Sequence, residues 1–117
     1  MDTTSEINGV AFFKARLRFL TTPSEVQTSL KNGTVVVLDV RDREEFAEEH
    51  IPGAINVPLS ELEAYLPRLP RDKTIVVYCC YTACHLSPSA ALVLAENGFR
   101  VQELIGGIEE WTRRIRP

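Results

Sequence analysis

The chain has 117 residues, 44% hydrophobic and 25% charged, the size and balance of one globular domain that buries a core without metal or disulfide staples. Sixteen acidic residues against thirteen Lys and Arg leave a formal charge of −3 with no basic stripe, so nucleic acid is not an expected partner. The apolar runs are too short to span a bilayer, and the polar start MDTTSEING lacks the basic and apolar regions of a secretory leader; with a pI near 5.4 this predicts a cytoplasmic protein with no membrane partner.

No repeat, low-complexity tract or Gly/Ser linker divides the chain. Residues 7–20 mix Val10, Phe12, Phe13, Leu17, Phe19 and Leu20 with Lys14, Arg16 and Arg18. The first part predicts a short amphipathic helix, and the alternation over residues 17–20 predicts an edge strand. Thr22-Pro23-Ser24-Glu25 opens a helix, with Thr22 as N-cap, Pro23 in the first helical position and Glu25 three residues after the cap. Asn32-Gly33 ends it. Residues 34–40 are a continuous β-branched run, as in a strand buried on both faces.

Residues 41–49 are charged and predict a short solvated helix, followed by a turn at Ile51-Pro52-Gly53 and a short strand at 54–57. A second short helix over 60–66 is closed by Pro67 and Pro70. Residues 74–78 form the next buried strand. Ser87-Pro88 caps a helix over 89–96 that stops at Asn97-Gly98. Residues 99–104 are a strand, Ile105-Gly106-Gly107 a tight turn needing unusual backbone angles, and 108–115 a final helix. Strands alternate with helices, so the fold class is α/β with a mainly parallel sheet.

The three cysteines are Cys79, Cys80 and Cys84. An odd, tight cluster does not suit a disulfide scaffold and suits reactivity or metal binding. Tyr78 ends a buried strand, and a helix begins near Ser87. In an open α/β sheet, ligands bind outside the carboxyl ends of the strands. Loop N–H groups and a helix N-terminus both favour negative charge there. A cysteine so placed has its thiolate stabilised. Cys79 is therefore the expected nucleophile. Cys84, five residues on, is a resolving cysteine, an alternative nucleophile or a loop filler. Cys80 points away from Cys79 if the strand continues. With His85 the cysteines offer four ligands for zinc, but zinc sites draw on two separated knuckles, so no metal is expected.

Several stretches resemble one family. Leu38-Asp39-Val40-Arg41, Glu44-Glu45-Phe46 and the run from His50-Ile51-Pro52-Gly53 to Pro58 look like the N-terminal signatures of rhodanese-like domains. Val76-Val77-Tyr78-Cys79 looks like their active-site strand. Ala90-Ala91, Leu94, Gly98-Phe99, Leu104-Ile105-Gly106-Gly107-Ile108 and Trp111 look like their C-terminal half. The resemblance implies a rhodanese-like domain over residues 17–117, with residues 1–16 an N-terminal extension that includes a short helix. It implies about five mainly parallel strands with helices on both faces, and no cofactor.

The activity implied is transfer of sulfane sulfur to a thiol or cyanide acceptor through a persulfide on Cys79. The donor would be a small sulfur anion such as thiosulfate, a polysulfide or a persulfide. The loop residues Cys80, Tyr81, Thr82, Ala83, Cys84, His85 and Leu86 would cradle the terminal sulfur with their amides. Asp39 and Arg41 match a family Asp-x-Arg that supports the loop. The loop departs from the usual pattern: it is longer, carries a second Cys, and has neither Arg nor Gly. Two rival classes follow. A phosphatase or arsenate reductase would need Arg where His85 stands. A non-catalytic binding or redox-sensing module would use a Cys79–Cys84 disulfide.

Overall fold

In a computed structural model the chain is described over residues 8–81 and 84–115. Five strands, β1 (Leu20–Thr21), β2 (Val35–Asp39), β3 (Ile55–Asn56), β4 (Thr74–Tyr78) and β5 (Val101–Leu104), pair in parallel in the order β1-β5-β4-β2-β3. The helices are α1 (Gly9–Phe19), α2 (Pro23–Asn32), α3 (Arg43–Glu48), α4 (Leu62–Tyr65), α5 (Leu86–Glu96) and α6 (Gly107–Arg114). This is the expected α/β sheet of five parallel strands.

The two continuous apolar strands, β2 and β4, sit side by side at the sheet centre and feed two cores. Leu38, Ile75 and Val77 face α4 and α5 with Leu62, Leu94 and Phe99. Val37, Val76 and Tyr78 face the other layer with Val26, Ile108 and Trp111. Alternate residues go to opposite faces, which is why neither strand shows a polar side.

Three elements differ from expectation. Helix α1 runs through Phe19, and the edge strand shrinks to two residues. Lys14, Ala15, Arg16, Leu17 and Arg18 are good helix formers, so the basic–apolar alternation does not become a strand. Helix α5 starts at Leu86, so Ser87 and Pro88 lie in its first turn rather than capping it. A first-turn proline costs no helical hydrogen bond, and the N-cap position, His85, makes no side-chain cap. Helix α3 begins at Arg43 with Asp42 as its cap, which leaves Arg41 outside it. Arg41 is buried rather than solvated. The reason is Asp39, two residues back, whose carboxylate it pairs with.

Candidate active site

The sheet order reverses direction between β2 and β4, since the chain leaves β2 for β3 on one side and β4 for β5 on the other. The carboxyl ends of these two strands therefore mark the switch point, the place where open α/β sheets bind their ligands. β2 delivers Asp39, Val40 and Arg41 there, and β4 delivers Tyr78 and Cys79. Val40 N–H donates to the Tyr78 carbonyl at 3.2 Å and ties the two ends together.

Asp39 is fully buried and Arg41 nearly so. Arg41 Nε and Nη2 reach the Asp39 carboxylate at 3.0 and 2.7 Å, and Nη2 also donates to the Glu49 carbonyl at 2.6 Å. Burial works against the Arg41 charge, but the bonds and attraction to Asp39 outweigh it and raise its pKa. Asn56 Nδ2 donates to both the Asp39 and Arg41 carbonyls. The Tyr78 hydroxyl accepts the Ile51 amide at 3.1 Å, and burial pushes its pKa well up. Asp39 and Arg41, with the Tyr78 hydroxyl, thus tie the β2 end to the chain at residues 49 and 51.

Cys79 follows β4 directly, and its side chain is only 1% exposed. Its Sγ donates to Ser87 Oγ at 3.5 Å, and Ser87 in turn donates to Glu103 on β5 at 2.9 Å. Burial, then the interaction with Cys84, raise its pKa; hydrogen bonding with Ser87 offsets this only in part. Cys84 stands differently. It is half-buried, packed against the core cluster that holds Cys79, and flanked by exposed Tyr81 and His85. Burial disfavours its thiolate, but polar interactions with the neighbouring Cys79 side chain and with the Leu86 and Cys80 backbone outweigh it and bring its pKa below the ordinary value. Its amide is held by the Tyr81 carbonyl at 3.0 Å. Both sulfurs lie by the N-terminus of α5, whose dipole favours an anion.

Cys80 is half-buried and donates to Glu45 on α3 at 3.4 Å. Burial and the Glu45 carboxylate push its thiol up to about 12. The His85 carbonyl accepts from Ser89. Thr82 and Ala83 fall outside the described residues. Ser87, Glu103 and Glu45 were not legible as site residues. Glu103 is 16 residues from Ser87 and Glu45 is 35 from Cys80, and no local pattern marks such pairs.

Helix α6 closes the site from below. Its first amides, at Ile108 and Glu109, donate to the carbonyls of Cys79 and Cys80 at 2.9 and 3.1 Å. Gly107 permits this approach with φ +59°, and a Cβ there would strike the Cys79 carbonyl. Gly107→Ala is expected to cost about 1–3 kcal/mol from left-handed backbone strain alone, and to shift the cysteine loop. Urea unfolding checks it; a loss under about 0.5 kcal/mol would show that the loop yields freely.

The sequence model of the rhodanese-like domain family matches residues 22–114. The chain belongs to the rhodanese-like family. It is 37% identical over 83 residues to thiosulfate sulfurtransferase GlpE of Coxiella burnetii, covering 70% of this chain and 76% of that protein. It is 39% identical over 90 residues to the HTH-type transcriptional regulator Rv0324 of Mycobacterium tuberculosis, 77% of this chain. It spans only 40% of that regulator's length. Among solved structures, the BH2092 protein of Bacillus halodurans matches with TM-score 0.81 and 38% identity over 89% of this chain and 78% of that one. A full-length Lactobacillus plantarum protein matches with TM-score 0.83 and 31% identity over 92% of each chain. This rhodanese domain is thus of the sulfurtransferase-type family. None of the helices among its described residues is long and apolar enough to cross a membrane.

Proposed function

We propose that this rhodanese domain moves sulfane sulfur from a small donor to a thiol or cyanide acceptor through a cysteine persulfide in the loop from Cys79 to Leu86. The donor is thiosulfate, a polysulfide or a persulfide. The acceptor thiol is a small molecule or a protein. The observation that carries the reading is the packing of Cys84 against the core cluster that holds Cys79, whose Sγ meets Ser87 Oγ in the first turn of α5, beside the amides that open that helix. A thiolate there attacks the donor's outer sulfur and expels sulfite or a thiolate. The same amides stabilise the anionic terminal sulfur of the persulfide. An acceptor then takes that sulfur. Asp39 and Arg41 hold the neighbouring strand end and the loop's surroundings.

The cysteine contact also suits a second reading, a redox module that closes a disulfide without handling sulfur. One assay separates them. Sulfite release from thiosulfate, and thiol release from glutathione persulfide, are followed with a thiol acceptor present. Turnover by the native chain and its loss in Cys79→Ala/Cys84→Ala support the transferase. Activity persisting in the double variant overturns it. No turnover of any donor, with disulfide formation under mild peroxide, favours the redox module.

A further inference from the structure

We propose that Cys84 takes the sulfane sulfur from the donor, and that Cys79, lodged beneath it, resolves the persulfide by forming a Cys79–Cys84 disulfide and releasing hydrosulfide. The inference rests on the persulfide chemistry above and names the fate of the sulfur. Its ground is the different standing of two sulfurs in contact. Cys79 belongs to the core and is only 1% exposed. Cys84 sits at the surface side of the pair, with exposed Tyr81 and His85 beside it. Cys84 packs against the cluster that holds Cys79, and the Cys79 Sγ meets Ser87 Oγ just beyond Cys84 in the chain, so the Cys79 sulfur lies next to whatever Cys84 carries. The lowered pKa of Cys84 and the raised one of Cys79 fit the same order of events.

The steps balance. The Cys84 thiolate attacks the outer sulfur of thiosulfate; the new S–S bond makes the Cys84 persulfide anion, and sulfite leaves with the electron pair of the broken bond. The Cys79 sulfur then attacks Cys84 Sγ. The Cys79–Cys84 bond forms, the bond from Cys84 to the terminal sulfur breaks, and that sulfur departs as hydrosulfide carrying the Cys79 proton. Sulfane sulfur is reduced to sulfide while two thiols are oxidised to one disulfide. Two equivalents of a small thiol restore the pair. An external acceptor competes by taking the terminal sulfur first. Cys80 is a poorer resolver, since its thiol is committed to Glu45.

The test is a single turnover with one equivalent of thiosulfate or glutathione persulfide and no added thiol. The native chain is expected to release about one equivalent of hydrosulfide and to lose about 2 Da, with peptide mapping placing the disulfide between Cys79 and Cys84. Cys79→Ser and Cys79→Ala should release no hydrosulfide and hold about 32 Da on Cys84. A stable 32 Da gain on the native chain, a Cys80–Cys84 disulfide, or sulfur held on Cys79 in Cys84→Ser would each overturn the inference while leaving sulfur transfer intact. A native chain that neither consumes donor nor changes mass overturns the transferase reading as well. The native chain alone decides the question if the Cys79 variants do not fold.

Discussion

Cys84→Ser lowers steady-state sulfite release from thiosulfate by at least about a hundredfold, the scale on which removal of a nucleophile acts. The expectation follows from ionisation and access together. Only a thiolate attacks, and only a reachable one meets the donor. Cys84 is half-buried and its pKa is lowered, while the burial of Cys79 works against both requirements. The thiolate fraction rises with pH through the pKa, so a lowered pKa moves the reactive range downward. Iodoacetamide labelling of Cys84, resolved by peptide mass, should reach half its maximal rate at a lower pH than labelling of Cys79 or Cys80. Cys79→Ala acts on the later step and strands sulfur on the protein. Faster labelling of Cys79 than of Cys84 at neutral pH would reverse the assignment.

Arg41→Met is expected to destabilise the fold by about 3–5 kcal/mol, the usual result of removing one partner of a buried ion pair. Asp39 is fully buried and would lose the guanidinium that pairs its carboxylate. The Glu49 carbonyl would lose the bond from Arg41 Nη2, and the Tyr78 ring the guanidinium 5.9 Å from its centroid. That is a large share of the ~5–15 kcal/mol that holds a domain of this size. Asp39→Asn/Arg41→Met should recover part of the loss, because no charge is then stranded. Urea unfolding of the three variants measures both terms. A single-variant loss below about 1 kcal/mol would mean that Asp39 finds solvent or another partner.

The helix over residues 23–32 was legible because its signals are local: a threonine cap, a proline in the first position, a glycine stop. Thr22 indeed accepts the Glu25 amide, and Gly33 takes φ 69°. The buried strands were legible from composition, since an unbroken β-branched run suits a strand covered on both faces. The helix at residues 9–19 was legible as a helix but not in extent. Its Val10, Phe13 and Leu17 remain exposed, so no burial marked where it should end. Ser87 looked like a cap because serine before proline usually is one. Only contacts to Cys79 and Glu103 show that its hydroxyl is used elsewhere.

By itself the sequence determined the alternation of strands and helices, and so a parallel sheet with a cysteine loop at the carboxyl end of a central strand. Those features depend on periodicity and on residues a few positions apart. Tertiary structure decided which sulfur lies buried and which lies near the surface, that Arg41 turns inward, and that the glycine opening α6 lets helix amides reach the Cys79 carbonyl. Each of these depends on how separate elements pack around one point, and exposure and partnership belong to that packing rather than to any stretch of chain.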